Sequence, residues 1–214
     1  MKGNDIASLR KEYTQKQLWE KDVQTNPVKQ FEIWLNEAIS ANIPEPNATI
    51  LATSSFDGKP SARVILLKKY DETGFSFFTN YDSRKARQLL QNPFGAMVFF
   101  WSELERQVRI EGEITKVSER ESDLYFHNRP QGSKIGAWAS PQSKVIPSRR
   151  YLESLKTDFQ EEFGHREIKR PSNWGGYTLD PVLFEFWQGR PDRLHDRIQY
   201  TMVNGNWKIE RLAP

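Results

Sequence analysis

Asp82-Ser83-Arg84-Lys85 opens a predicted helix directly after a predicted strand. A helix N-terminus carries unpaired N–H groups and a partial positive charge, so cations placed there oppose the macrodipole unless an anion sits among them. Ser83, Arg84 and Lys85 therefore read as a socket for a phosphomonoester, with a plain solvated helix start as the alternative. A second feature, Arg63-Val64-Ile65-Leu66-Leu67-Lys68, brackets an apolar strand with two cations. Their odd separation puts them on opposite faces of a regular strand, so either they serve different groups or a bulge realigns them. Tyr125 and Arg129 share one face of a predicted helix, and Ser133 follows in a Gly-containing turn. Two hydroxyls and a guanidinium can hold one phosphate. In the stretch from Trp187 to Arg197, an extended chain would project Arg193, His195 and Arg197 from one face. Three neighbouring cations repel one another unless an anion or an electron-rich ring lies among them.

The elements that must position these groups are legible as periodicities. Residues 1–23 read as a charged, partly helical arm, and 24–214 as one domain. Asn26-Pro27 supplies an N-cap and a first helical residue. Phe31, Trp34, Leu35, Ala38 and Ile39 then follow a core-facing stripe. Strands are expected at 49–53, 62–70, 75–79, 95–101 and 106–116, with turns at Asp57-Gly58 and 71–74. A short helix is expected at 83–91, stopped by Asn92-Pro93. The pattern Ser118-x-x-Glu121 opens a helix that must end before Pro130, and another helix spans 148–163. Val182, Phe184 and Phe186 alternate along a strand, and Asn204-Gly205 joins 198–203 to 207–211 as a hairpin. About eight mostly antiparallel strands with attached helices favour a mainly β (α+β) fold, a small antiparallel barrel with peripheral helices, over a doubly wound sheet.

Composition narrows the chemistry. The 214 residues contain no Cys and three His, which excludes disulfides, thiolate metal sites and a cysteine nucleophile, and makes a His-built metal site improbable. No G-x-G-x-x-G or Walker A motif occurs, so a Rossmann or P-loop nucleotide site is unsupported. The 31 basic and 28 acidic residues are interleaved. Scattered basic pairs suit small anions better than a nucleic acid, despite a pI of about 9.0. No apolar run reaches the ~20 residues of a membrane span, and no signal peptide is visible. The expectation is a soluble cytoplasmic protein without a metal.

Taken in order, these pieces resemble the pyridoxine 5′-phosphate oxidases, FMN enzymes that make pyridoxal 5′-phosphate. The matching stretches include Leu9–Thr14, Arg63–Lys68, Phe78-Thr-Asn80, Leu104–Val108, Tyr125–Pro130, Gly136–Trp138, Trp174-Gly-Gly176, Phe184–Gly189, Arg193–Arg197 and Trp207–Pro214. Glu45 departs from the family's Asp, and Phe78 from a Tyr-like residue whose contact is largely backbone. The resemblance implies an FMN-binding split β-barrel, Greek-key in type, assembled as a homodimer with two FMN sites at the subunit interface. By carry-over, Arg63, Val64, Ile65, Leu66, Leu67, Lys68, Phe78, Thr79, Arg84, Lys85 and Gln107 hold FMN, and Gln142, Ser143, Trp187 and Arg197 reach it from the partner. Arg10, Lys11, Glu12, Tyr13, Lys68, Tyr125, Arg129 and Ser133 grip the substrate, while Arg193 and His195 sit over its pyridine ring as the catalytic pair. The implied reaction oxidises pyridoxine or pyridoxamine 5′-phosphate, passing two electrons to O2 to give hydrogen peroxide, with ammonia from the amine. The alternatives are a related FMN split-barrel oxidoreductase, or a flavin- or pyridoxal-phosphate-binding protein without this activity.

Overall fold

The computed structural model describes residues 12–214. Its contacts sort into two compact units. One comprises residues up to Asn47 with Val98–Ile110 and Val182–Pro214; the other comprises Ala48–Met97 with Glu111–Pro181. Nine strands pair among the described residues, β1 (Ala48–Ser54), β2 (Pro60–Leu66), β3 (Lys69–Asp71), β4 (Gly74–Asn80), β5 (Phe94–Trp101), β6 (Arg106–Lys116), β7 (Trp174–Gln188), β8 (Asp196–Val203) and β9 (Asn206–Leu212), in the order β2-β1-β5-β6-β7-β4-β3, with β8 on β7 and β9 on β8. The fold is mainly antiparallel β with peripheral helices, as the patterning predicts.

In the second unit, β1 (Ala48–Ser54) and β2 (Pro60–Leu66) form a hairpin with Leu51 opposite Arg63. The chain then changes partners. β3 (Lys69–Asp71) pairs with β4 (Gly74–Asn80), and the Lys68 N–H already donates to the Ser76 carbonyl. The expected strand 62–70 is thus two strands, because its halves pair with different neighbours. Arg63 and Lys68 consequently belong to different pairings, which removes the choice between opposite faces and a bulge. Helix α2 (Arg84–Gln91) is capped by the Ser83 side chain, and α3 (Glu119–His127) by Ser118, which accepts from the Glu121 N–H. A helix not read from the sequence, α4 (Gln131–Ala139), follows, so Ser133 lies in a helical turn rather than a loop. Its apolar anchors Ile135 and Ala139 are four apart and buried, which is the signal that was there to read. Helix α5 (Arg149–Phe163) packs Phe159 and Phe163 on Trp138. Gly112 of β6 (Arg106–Lys116) is a close-approach position, since a Cβ there would fall on the Asp180 carbonyl of β7 (Trp174–Gln188).

The other unit is built on α1 (Pro27–Ser40), whose cap Asn26 accepts from the N–H groups of Val28 and Lys29. Phe31, Trp34, Leu35 and Ala38 are buried as the stripe predicts, but Ile39, in the last turn, is half exposed. Phe31 packs on Phe99 of β5 (Phe94–Trp101), and Trp34 on Phe186. Phe184 and Phe186 are fully buried. Val182 is half exposed, because pairing with β8 (Asp196–Val203) begins only at Leu183. β8 returns into β9 (Asn206–Leu212) through Asn204 and Gly205. Both have positive φ, 50° and 77°, which is the backbone a two-residue hairpin loop requires. Residues 12–23 form no helix or strand apart from one 3-10 turn at Glu20–Asp22, flanked by extended Trp19 and Val23.

Candidate functional site

Arg63, Arg84 and Lys85 lie in the second unit, and among the described residues the hydrogen-bond partners of Arg63 and Lys85 include no acid. Arg63 donates through Nη1 to the Leu51 carbonyl (3.0 Å) and Thr53 Oγ1 (2.7 Å), and through Nη2 to Ser61 Oγ. Lys85, buried on α2, donates to Thr79 Oγ1 (3.0 Å) and Gln142 Oε1 (3.2 Å). All these partners are neutral. Burial, followed by repulsion from Arg63, pushes the Lys85 ammonium down to about 8. Burial and the nearby Arg84 likewise lower Arg63. Arg63 and Lys85, like charges held close enough to repel and both lowered in proton affinity, are an arrangement that an anion relieves.

A second socket lies in the same unit. Tyr125 stacks on Phe78 with ring centroids 3.8 Å apart, and Trp174 extends the stack at 5.7 Å from Phe78. The Arg129 guanidinium lies 4.5 Å from the Trp174 ring centroid, a cation–π contact that fixes its plane. Its Nη1 is buried with no hydrogen-bond partner. A buried guanidinium N–H left unsatisfied is costly, and a missing ligand is one explanation such a group demands. Beside it, α4 starts after Pro130 without a side-chain cap, and a helix start carries a partial positive charge that favours an anion.

Lys85 of the first socket and the whole of the second line one cavity of about 450 Å³, whereas Arg63 and Arg84 are not among its lining residues. Val64, Ile65, Leu66, Lys68, Phe78, Thr79, Lys85 and Gln142 line it among the residues expected for the cofactor, and Lys68, Tyr125, Arg129 and Ser133 among those expected for the substrate. Leu67 is instead buried in the core, because its side chain turns inward where the chain leaves β2. Gln142, expected from a partner subunit, stands beside Thr79 and Lys85 of its own chain. Ser143 follows it, exposed, with φ of 67°. A larger cavity of about 730 Å³ beside α3 mixes Glu119, Asp123 and Glu167 with Arg120, Lys169 and Arg170. It collects none of the expected site residues, so size alone does not choose the site.

The first unit holds the other candidates. Trp187 lies 4.7 Å from the His195 ring, and Tyr13 meets both edge-on at 5.6 and 5.8 Å. His195 Nδ1 accepts from the Arg190 N–H at 3.1 Å, which places the proton of the neutral ring on Nε2. Burial and the neighbouring Arg193 lower its proton affinity. The expected extended face is corrected here. Pro191–Arg193 form a 3-10 turn with Asp192 and Arg193 at φ of 55° and 61°, so only Arg197 is in the strand. Nor are there three unpaired cations, because Arg197 grips the buried Glu185 with both fork nitrogens, Nε to Oε1 at 2.7 Å and Nη2 to Oε2 at 3.1 Å. Replacing Arg197 would strip a buried carboxylate of a partner, so lost activity there would not by itself report a flavin contact. Gln107 is half-buried on β6, and Glu12 is exposed. Arg10 and Lys11 lie outside the described residues. Trp174 and the Thr53–Ser61 pair were missed as site residues, since no spacing links them to Arg129 or Arg63.

Residues 35–156 match the family described as pyridoxamine 5′-phosphate oxidase, and residues 174–214 match the pyridoxine 5′-phosphate oxidase C-terminal dimerisation region. The pyridoxine/pyridoxamine 5′-phosphate oxidase of Trichormus variabilis is 55% identical over 98% of both chains. That of Synechocystis is 49% identical over the whole of both. Among solved structures, PhzG from Burkholderia lata, in complex with tetrahydrophenazine-1-carboxylic acid, aligns with a TM-score of 0.88 at 30% identity, over 94% of this chain and 100% of that one. An FMN-binding protein from Nostoc punctiforme shares the fold with a TM-score of 0.70 at 19% identity, over 90% and 100%.

Proposed function

The chain belongs to the pyridoxamine 5′-phosphate oxidase family, and from that premise we propose that it oxidises pyridoxine 5′-phosphate and pyridoxamine 5′-phosphate to pyridoxal 5′-phosphate. It is an FMN-dependent oxidoreductase. Residues 174–214 correspond to the family's dimerisation region, which makes the chain a homodimer. The observation that carries the substrate reading is the orphaned Nη1 of Arg129, which asks for an anion at the second socket while the first already suits the FMN phosphate. The donor sets fit both phosphates. Arg63, Arg84 and Lys85 are assigned to FMN, and Lys68, Tyr125, Arg129 and Ser133 to the substrate.

The chemistry FMN supplies when bound is two-electron oxidation of the substrate C4′ carbon, with the electrons leaving to O2 as hydrogen peroxide. The alcohol then becomes the aldehyde directly, whereas the amine becomes an imine that water hydrolyses with release of ammonia. The chain's own share is positional: one phosphate socket would fix the flavin and the other the substrate, so that C4′ is presented in a single orientation. Arg193 steadies the ring and the charge that develops as the C4′–H bond breaks. His195 orients the ring from Nε2, since its Nδ1 is engaged by Arg190.

The deciding experiment is anaerobic addition of each B6 phosphate to the yellow holoprotein. Bleaching supports the assignment. A flavin that stays oxidised with both compounds removes it, in favour of a flavin-binding protein without this activity. The Lys85 ammonium gives a second expectation. The phosphate favours its charged form, so above pH about 8 FMN binding must take up a proton, and affinity should fall by up to ~10-fold per pH unit. Riboflavin, lacking the phosphate, should show no such fall, and Lys85→Met should abolish it for FMN. Parallel pH profiles for the two flavins would contradict the role of Lys85.

A further inference from the structure

Gln88 of α2 is buried, and its single Oε1 accepts two hydroxyl protons, from Thr53 Oγ1 at 2.7 Å and from Ser61 Oγ at 2.7 Å. A hydroxyl has one proton and two lone pairs. Once both protons are committed to Gln88, the Thr53 and Ser61 oxygens can only accept on their other side. There each receives one N–H of Arg63, on Nη1 and Nη2 respectively. Together with the Leu51 carbonyl, these acceptors use three of the five guanidinium donors and leave two for a ligand. Thr53 and Ser61 are cross-strand partners of β1 and β2, so the sheet sets their spacing. Nothing in the sheet sets the polarity of their hydroxyls. Were a hydroxyl proton turned toward Arg63, donor would face donor and the guanidinium would swing off its anchors.

We propose that Gln88 is a positioning residue that aims Arg63 at the FMN phosphate by fixing the proton polarity of Thr53 and Ser61. The proposal rests on the assignment of Arg63 to that phosphate. It explains why an amide whose oxygen accepts both hydroxyls is buried on the helix that also carries Arg84 and Lys85. The path runs from α2 through two hydroxyls to the one cation that the helix does not itself carry.

The test compares FMN with riboflavin on the full-length protein, by flavin fluorescence titration of Gln88→Met, Arg63→Ala and the double variant. Gln88→Met should lower the FMN-to-riboflavin affinity ratio about five- to thirtyfold, as expected when a charged hydrogen bond is misaimed. Riboflavin binding should be unchanged, and the substitution should cost nothing further in the Arg63→Ala background. A merely structural role would weaken both flavins alike and add to the Arg63→Ala loss. If Arg63→Ala lowers the ratio and Gln88→Met does not, or if the two losses add, the relay is wrong while the phosphate assignment stands. If Arg63→Ala leaves the ratio unchanged, the assignment itself fails and the relay with it. Should Gln88→Met fail to fold, Thr53→Val and Ser61→Ala each remove one acceptor and carry the same expectations.

Discussion

Replacing Arg129 by methionine is expected to lower kcat/KM for pyridoxine 5′-phosphate by about thirty- to a thousandfold. That range corresponds to about 2–4 kcal/mol for truncating one partner of a buried, charge-assisted contact. The reason lies in how the guanidinium is held: its plane rests on Trp174, its Nη1 is buried without a partner, and Tyr125 is immobilised against Phe78 beside it. The socket is thus built before the ligand arrives, and little ordering cost remains to offset the contact. Methionine keeps much of the stem's packing on the aromatic stack, so the chain should still fold and bind FMN. The check is a substrate comparison. Unphosphorylated pyridoxine, which cannot use the socket, should be oxidised slowly and equally by wild type and variant. An equal loss with both substrates would show that Arg129 supports the fold or the ring rather than the phosphate.

Arg193→Lys is expected to keep bound FMN and thermal stability yet slow anaerobic flavin reduction by about ten- to a thousandfold, the range for a contact made in the transition state. Lysine keeps the charge and loses the planar fork. Arg193 is exposed and sits in the left-handed region directly after Asp192, which does the same. Two consecutive non-glycine residues in that region cost of order 1–3 kcal/mol each, and such strain persists where the surrounding structure enforces it, commonly at functional turns. Because the side chain is not in the core, a loss of rate cannot be passed off as unfolding. A stopped-flow reduction trace on flavin-replete variant makes the measurement. Wild-type rates at saturating substrate, or a variant that no longer folds and holds FMN, would refute the assignment.

The caps and stripes were legible because they are local. Asn26 and Ser118, read as caps, each cap the helix they precede, since the groups a cap satisfies are two or three residues away; Ser83, read as part of an anion socket, instead caps α2, and Ser148 caps α5. The Asn204-Gly205 hairpin was legible for the same reason. Helix α4 is not legible in the same way: Pro130, three residues past the end of α3, marks a chain break that suits a turn as well as the start of a new helix. The split of 62–70 into two strands was not read either. Both halves have strand composition, and only their different partners separate them.

For the site, the residue types and their order indicated its chemistry: short cationic pairs in a chain without cysteine, resembling a flavin oxidase family in sequence. Tertiary structure alone decided which of those groups are available. Arg197 has the same side chain as Arg129, yet one is bound to the buried Glu185 and the other keeps an unpartnered Nη1 over Trp174. Trp174 lies 45 residues from Arg129, and Gln88 lies 35 from Thr53 and 27 from Ser61. No periodicity of helix or strand spans such separations. Whether a cation is spent on the fold or left for a ligand depends on the dielectric and the partners around it. Those are properties of the packed chain.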